Sequence, residues 1–390
     1  MSHPADARWP AGLRILERGA EAFPYLLARI AEAQTSIEVR AYIWRDDDTG
    51  QAVARALIDA ADRGVQVTIF KDEDASAHEY QEAGQQSFLH KSPKLATRMQ
   101  TRVLHGFYDP RKIRRFSAPR QRMNVLAQVI AQHPQIHLEA GHRYDHAKVY
   151  IFDDRSMMLG GMCIGDDAHH ELLDFMVALD GPEHVARYRE RQAGALSADH
   201  PPIDFLLHHG AVHGRQCPMK SERLALIYGA RRRLQVEMAF FGDPAFTEAL
   251  VAAVQRGVET TIIASRQAGK LRWYNLRLFE VIHRRTGAPL HLKIALHPQV
   301  VHSKVMVIDE AIVDMGSGNF TTLSNGIYDE VNVCIRDEQV ARYMSRRLDE
   351  HLKACHVPHR LRVGPVKASL ERHFMERHGS KAVKRRKGGV

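Results

Sequence analysis

His146-Ala-Lys-Val-Tyr-Ile-Phe-Asp153 and His302-Ser-Lys-Val-Met-Val-Ile-Asp309 are two copies of one pattern in a single chain. The β-branched and aromatic residues after each His-x-Lys predict a strand. Residues two apart on a strand project from the same face, so we expect each histidine and its lysine to point the same way. The aspartate, seven positions after the histidine, has the opposite parity and is expected to tie down the strand.

A second repeat surrounds the first. Eight of fifteen positions are identical between residues 56–70 and 249–263, and each copy reads as an amphipathic helix closed by Arg-Gly and followed by a short strand. A further helix and strand precede each copy, at 26–33 and 37–43 and at 224–230 and 234–240. Strands that alternate with helices at this spacing predict an α/β fold with a largely parallel sheet in each half.

The offsets between the repeats define the domains. The helix repeat recurs after 193 residues and the His-x-Lys repeat after 156, so the first half carries about 37 extra residues between Phe70 and His146. We predict a first domain at 11–195 with a basic insertion around 85–125, a linker at 196–214, a second domain at 215–356 and a basic C-terminal tail at 357–390.

A carboxylate lies at the same distance from each histidine. Asp174 follows His146 by twenty-eight residues, and Glu330 follows His302 by the same number. Carboxylates commonly hold an imidazole in one tautomer, so we expect these two residues to orient the histidines. In the second half, the neighbouring Asp329 is an alternative.

Composition excludes several classes of protein. The 390 residues are 44% hydrophobic and 26% charged, which is typical of a globular chain and not of a disordered or collagen-like one. The four cysteines lack CxxC spacing, and no apolar run is long enough to span a bilayer. The adjacent pairs His169-His170 and His208-His209 do not have the i, i+4 spacing of a helical zinc site. The N-terminus has no signal pattern, so we expect a soluble or peripheral protein of a reducing cytosol.

The duplicated HxKx4D pattern, with small residues after it, resembles the phospholipase D superfamily, and within it the bacterial cardiolipin synthase branch. The resemblance covers roughly residues 12–355. The features that carry it beyond the duplicated pattern are the Leu-Leu-x-x-Ile-x-x-Ala run from Leu26, Tyr42-Ile43-Trp44, Gly50, and the stretch from Gly161 to Asp166.

This resemblance implies two pseudo-twofold-related α/β/α sandwich domains with one active site at their interface. One histidine would attack a phosphodiester phosphorus to form a phosphohistidine, and the other would protonate the leaving alcohol. Lys148 and Lys304 would hold the phosphate oxygens, so neither metal nor cofactor is expected. In the family the N-terminal histidine is commonly the nucleophile, which favours His146, although the sequence leaves the order open.

The resemblance also implies a phosphate-binding asparagine seventeen residues after each histidine. Asn319 stands there in the second half, but Cys163 occupies the same offset in the first. A thiol is a weak hydrogen-bond donor, so phosphate binding on the first side would depend on Lys148 and backbone amides. Gly161 and Ser317, the second small residue of each half, complete the expected phosphate-binding set.

Positive charge predicts an anionic partner. Lys and Arg number 55 against 46 Asp and Glu, a net charge of +9. Ten of these cations and one acid lie between Lys91 and Arg122, interleaved with apolar residues as at a membrane interface, and five more lie between Lys381 and Lys387 in a tail expected to be disordered. The interleaved apolar residues are Phe88, Leu95, Met99, Leu104, Phe107 and Tyr108.

We therefore expect a phosphatidyltransferase, cytoplasmic and peripheral at the inner membrane, with phospholipid as substrate. The same chemistry with water as acceptor would make it a phospholipase D hydrolase. A nuclease of the same superfamily is the alternative from another substrate class, because basic segments also suit nucleic acid. A degenerate lipid-binding member is a third possibility, suggested by Cys163 alone.

Overall fold

The computed structural model describes residues 9–10, 12–73, 75, 79, 87–89, 124–139, 144–195, 199–214, 216–266, 271–359 and 361–373. The basic runs 91–122 and 381–387 lie outside these residues. Within the described part of the chain, no helix combines the length and the apolar character needed to cross a bilayer.

The first half forms a seven-stranded sheet in the order β1-β7-β6-β5-β2-β3-β4. Its strands are β1 Leu13–Glu17, β2 Ser36–Ala41, β3 Gln66–Lys71, β4 Ile136–Glu139, β5 Val149–Phe152, β6 Ser156–Gly160 and β7 Phe175–Asp180. Its helices are α1 Gly19–Glu32, α2 Asp48–Asp62, α3 Val125–Gln132, α4 Asp166–His170 and α5 Pro182–Gln192.

The second half repeats this arrangement, with the sheet order β11-β10-β9-β12-β13-β14-β8. Its strands are β8 Ile203–His208, β9 Arg233–Met238, β10 Glu259–Ser265, β11 Leu292–His297, β12 Lys304–Ile308, β13 Ile312–Gly316 and β14 Glu330–Ile335. Its helices are α6 Gly210–His213, α7 Pro218–Gly229, α8 Pro244–Gln255, α9 Arg272–Thr286 and α10 Glu338–Lys353. The predicted pair of α/β domains is confirmed, because each strand has a counterpart in the same position of the other sheet.

Both sheets are mixed, so the prediction of a largely parallel sheet is wrong. Among the strands that the structure describes, only β2–β3, β3–β4 and their counterparts β9–β10 and β10–β11 pair in parallel. The cause is the connection after each His-x-Lys strand, where three residues lead from β5 into β6 and from β12 into β13. Asp153 and Asp309 open these turns with φ of 55° and 54°, and so short a turn can join only antiparallel strands.

One apolar cluster joins the two sheets. It contains Leu159 and Val177 from the first sheet, Val313 and Val333 from the second, and the inner face of α10. Burying one such aliphatic side chain stabilises a fold by about 1.5–3 kcal/mol, so this cluster holds the two halves together as one body.

Two predicted ranges differ from the structure. The range 196–214, predicted as a linker, contains β8, which pairs antiparallel with β14 along six residues. We therefore propose that the second unit begins near Ile203. The apolar run of β8 lies between prolines and histidines, and these flanking residues favoured the prediction of a linker. In the predicted tail, residues 365–373 are helical, and Glu371 accepts a hydrogen bond from the backbone N–H of Tyr274 at 2.7 Å.

Phe88 was predicted to belong to the interfacial segment, but its side chain is fully buried. Its ring stacks on Trp44 with centroids 5.0 Å apart. A buried ring cannot enter a membrane, so Phe88 is part of the core. The other apolar residues of that segment lie outside the described residues.

Candidate active site

The two His-x-Lys segments meet because each bonds to the other half of the chain. The backbone N–H of His146 donates to the carbonyl of Asp329 at 2.9 Å, and that of His302 donates to the carbonyl of Leu173 at 2.8 Å. Neither histidine lies in a strand, since β5 begins at Val149 and β12 at Lys304. Because the backbone of each histidine bonds to the opposite half of the chain, strand pairing within the sheet of its own half ends at that point.

The carboxylates pair with the histidines in a crossed arrangement. Oε2 of Glu330 lies 3.0 Å from Nδ1 of His146, and Oδ2 of Asp174 lies 2.6 Å from Nδ1 of His302. Each carboxylate therefore faces the histidine of the other half, a choice that the equal offset left open. The crossing follows from the backbone bridges, because Glu330 and Asp174 come directly after the residues that bind His146 and His302.

Asp329, the alternative to Glu330, points elsewhere. Its carboxylate accepts a hydrogen bond from the backbone N–H of Gly210 at 2.7 Å and lies 3.6 Å from Nδ1 of His209. Its contribution to the site is the backbone carbonyl that binds His146.

Burial and the crossed pairs set the protonation of the site. Burial lowers the pKa of His146 to about 4, although Glu330 opposes the shift, and burial likewise lowers the pKa of His302. Burial alone would raise the pKa of Asp174, but the charges of Lys304 and His302 outweigh it and the pKa lies below its usual value. A carboxylate only accepts hydrogen bonds, so Nδ1 of each ring carries a proton. Nε2 then has a lone pair in the neutral ring and a second proton in the imidazolium.

The lysines lie against their histidines. Nζ of Lys148 donates to the carbonyl of His146, and Nζ of Lys304 donates to that of His302 and lies 3.1 Å from its Nδ1. Both side chains are about 1% exposed, so their charges act in a medium with little water. Burial lowers the pKa of Lys304 to about 8, and the charge of Lys148 adds to the shift.

The small residues at the fifteenth position after each histidine make room for the carboxylates. A Cβ on Gly161 would collide with the carboxylate of Asp174. Ser317 occupies the equivalent place in the second half, and its hydroxyl donates to Oε2 of Glu330 at 2.5 Å. These two residues support the crossed carboxylates, a role that the sequence did not predict.

Asn319 and Cys163 differ in the structure as in the sequence. Asn319 is 4% exposed, and among the described residues its buried Oδ1 has no hydrogen-bond partner. Cys163 packs in a small apolar cluster with Tyr42 and Ala75. The second half therefore offers a carboxamide at this position, whereas the first offers a buried thiol.

Asp153 and Asp309 hold the strands that precede the site. The carboxylate of Asp153 accepts the backbone N–H groups of residues 34, 35 and 36, and that of Asp309 accepts those of residues 231, 232 and 233. Both side chains point away from the imidazoles and fix the ends of β2 and β9.

Sequence reasoning missed a second repeated device. The carboxylate of Asp72 accepts the backbone N–H of Asp145 at 2.8 Å, and the hydroxyl of Ser265 accepts that of Val301 at the same distance. Asp72 directly follows β3 and Ser265 ends β10, and each fixes the residue before a site histidine. The signal was the offset of 193 residues between Asp72 and Ser265, which equals that of the helix repeat.

Aromatic side chains from both halves enclose His146, and these were also missed. The ring of Tyr42 lies 4.5 Å from the imidazole in an edge-to-face arrangement, and that of Tyr328 lies at 5.6 Å. Neither tyrosine belongs to the duplicated pattern, so no spacing in the sequence pointed to them.

Comparison with known proteins gives concordant results. The family model described as cardiolipin synthase, PLD-like domain, matches residues 26–193 and 224–352. Cardiolipin synthase B of Escherichia coli K12 is 25% identical over 394 residues, covering 88% of this chain and 80% of that protein. The major cardiolipin synthase ClsA of Bacillus subtilis 168 is 22% identical over 367 residues, covering 87% and 68%.

The fold is similar to that of a solved enzyme. Phosphatidylserine synthase from Haemophilus influenzae Rd KW20 aligns with a TM-score of 0.65 at 14% identity, over 96% of this chain and 94% of that one.

Proposed function

This chain belongs to the cardiolipin synthase, phospholipase D-like family, and from that membership we propose that it transfers a phosphatidyl group between alcohols through a phosphohistidine intermediate. The resemblance inferred from the sequence is confirmed by the family match. The transfer chemistry is supported by one observation above all, the crossed pairs His146–Glu330 and His302–Asp174.

In the first step, Nε2 of His146 attacks the phosphorus of a phospholipid. A P–N bond forms and the P–O bond to the headgroup breaks. His302 enters this step as the imidazolium paired with Asp174 and gives its Nε2 proton to the departing alcohol oxygen. In the second step, His302 takes the proton of an acceptor alcohol, whose oxygen attacks phosphorus as the P–N bond breaks. The low pKa of His146 supports its choice as nucleophile, because the neutral ring is the reactive form.

The cations and carboxylates act on the charge that develops. Lys148 and Lys304 attract the nonbridging phosphate oxygens, which gain charge in the transition state. Glu330 and Asp174 stabilise whichever imidazole becomes positive and keep each Nε2 directed at phosphorus. Asn319 is proposed to donate its amide N–H to a phosphate oxygen in the second half.

We propose phosphatidylglycerol as both donor and acceptor, which gives cardiolipin and glycerol. The names of the two curated relatives support this choice. Transfer is favoured over hydrolysis because the side chains of His146 and His302 are only 12% and 20% exposed, and a site with little water protects the intermediate.

The test is incubation with vesicles of phosphatidylglycerol and, separately, with single-stranded nucleic acid, followed by mass spectrometry of all products. We expect cardiolipin and glycerol from the wild type and none from His146→Ala or His302→Ala. Phosphatidic acid alone would assign the protein as a hydrolase, and nucleotide fragments would assign it as a nuclease. Unchanged turnover in either variant would defeat the histidine mechanism.

We also propose that the protein acts on the cytoplasmic side of the inner membrane as a peripheral protein. The proposal depends on the basic sequence between Lys91 and Arg122. Replacing Arg111, Lys112, Arg114 and Arg115 by glutamine should weaken cosedimentation with anionic vesicles, and unaltered binding would contradict the proposal.

A further inference from the structure

A buried ionic cluster lies near His302 and has no part in the transfer steps proposed above. Nδ1 of His351, on α10, lies 2.7 Å from Oε2 of Glu237 on β9. Its Nε2 lies 3.0 Å from Oε1 of Glu17 on β1. The three side chains come from both halves of the chain, and none is more than 9% exposed.

The ring of His351 is an imidazolium. Both of its nitrogens face carboxylate oxygens, and only the protonated ring can donate from both. Burial opposes the charge, but the hydrogen bonds to Glu17 and Glu237 outweigh it and raise the pKa of His351 to about 9.

Further charged or titratable groups lie around this ring. Arg347 donates to the second oxygen of Glu17 at 2.7 Å. The ring of His297 lies 6.0 Å away, and the thiol of Cys355 donates to the carbonyl of His351. Burial lowers the pKa of His297, which therefore stays neutral beside the imidazolium.

The cluster reaches the His302 side of the active site by one hydrogen bond. The hydroxyl of Ser303, the residue after His302, donates to Oε1 of Glu237 at 2.5 Å. Ser303 is fully buried, so this bond has no competition from water. The segment that carries His302 is therefore tied to His351 through a single carboxylate.

The cluster also contacts the His302–Asp174 side of the site through an aromatic ring. The imidazole of His351 stacks on Phe175 with centroids 5.9 Å apart. Phe175 follows Asp174 directly, and its backbone N–H donates to Oδ1 of Asp174 at 2.8 Å. His351 thus contacts the neighbours of both members of the His302–Asp174 pair.

Among the residues that the structure describes, the first half has no equivalent support. Arg40 occupies the place of Glu237, since Arg40 pairs with Val149 and Glu237 with Val305 in matching registers. Its guanidinium binds Asp145, next to His146, at 3.0 Å. The position that corresponds to His351, at an offset of 156 residues, is Ala195. The two histidines are therefore supported by different means.

We propose that His351 is a positioning residue for the His302–Asp174 pair, acting through Glu237 and Ser303 on one side and through Phe175 on the other. The proposal rests on the proposed function, because it assigns His302 the proton transfers. Substitution of His351 should disturb the His302–Asp174 pair and leave the His146–Glu330 pair intact.

Three variants test the proposal. His351→Gln removes the charge, and Ser303→Ala cuts the link to His302 while leaving His351 in place. Asp349→Asn is the matched control, because Asp349 ties the same helix to β9 through Arg233 and Gln235 at 2.7 and 3.0 Å without contacting the cluster. We expect kcat to fall roughly 10- to 100-fold in the first two variants, with KM within about twofold and the control near wild type, since small misplacement of a reacting group is costly.

A substrate-free measurement separates this proposal from the proposed function. The Nδ1 protons of His146 and His302 should give two downfield proton resonances, assigned by replacing each histidine with asparagine. His351→Gln and Ser303→Ala should each shift or broaden the His302 resonance and leave the His146 resonance unchanged. If both variants merely lower thermal stability and leave that resonance in place, His351 is structural only. Absence of phosphatidyl transfer in the wild type would instead refute the proposed function.

Discussion

Glu330 and His146 belong to different halves of the chain, yet their side chains form a hydrogen bond of 3.0 Å. The reciprocal bond joins Asp174 to His302. Each of these imidazoles is oriented by a carboxylate of the other half, so the candidate active site forms only when the two sheets are packed together.

Glu330→Gln should lower kcat by about 10²–10⁴, because a neutral amide can also donate to Nδ1 and so favour the tautomer with the proton on Nε2. The Nδ1 proton resonance of His146 should disappear while that of His302 persists. Asp174→Asn should give the converse spectrum. If each variant altered the histidine of its own half, the crossed pairing would be wrong.

Lys304 should contribute an alkaline limb to the pH profile of activity. Its pKa is lowered to about 8, so it is charged below that pH and progressively neutral above it. A cation that stabilises the transition state is lost as pH rises, so kcat/KM should fall through pH 8. Lys304→Gln should reduce kcat/KM by about 10²–10³ and abolish this limb. A limb at the same pH in the variant would assign the titration to another group.

Gly161→Ala should disable the His302 side of the site although it adds one methyl group. The new Cβ would collide with the carboxylate of Asp174, which must then leave His302. We expect at least about a tenfold loss of kcat, measured with phosphatidylglycerol vesicles, because a misplaced orienting group is costly. Gly229→Ala is the control, since no atom lies within 4 Å of its added Cβ. Equal activity of the two variants would contradict the steric argument.

The duplicated spacing predicted which residues form the site but not how they pair. An offset of twenty-eight residues is the same whether a carboxylate meets the histidine of its own half or the other one. The choice is made by the backbone bridges between Asp145 and Asp329 and between Leu173 and Val301, which join residues far apart in the chain. Local patterns carry no information on such pairing.

The mixed sheets show a different limit of sequence reasoning. The strand–helix repeats correctly suggested parallel pairing for β2 with β3. The later strands β5, β6 and β7 are antiparallel neighbours, and the longest helix between them has five residues. The Asp153-Asp154 and Asp309-Glu310 turns have left-handed φ at all four residues, but neither contains the Asn-Gly or Asp-Gly pair that marks a hairpin in a sequence. Tyr42 and Tyr328, in contrast, reach His146 only through tertiary packing.

Asp72 and Ser265 perform the same task with different chemistry, which leads to a prediction on stability. Burial raises the pKa of Asp72 to about 7, above its value of 3.8 in an unfolded chain. The folded state therefore favours the protonated carboxyl, whose stabilising contribution is full below pH 3.8 and is lost as pH rises through 7.

Asp72→Ser copies the second half, where a hydroxyl holds the equivalent N–H and carries no charge. The free energy of unfolding of the variant, relative to wild type, should therefore increase between pH 4 and pH 8. At 1.4 kcal/mol per pKa unit, the gain is at most about 4 kcal/mol. Urea unfolding at both pH values measures it, with the exposed Asp59→Asn as control. A difference that does not change with pH would mean that Asp72 is ionised throughout, held so by Lys71 beside it.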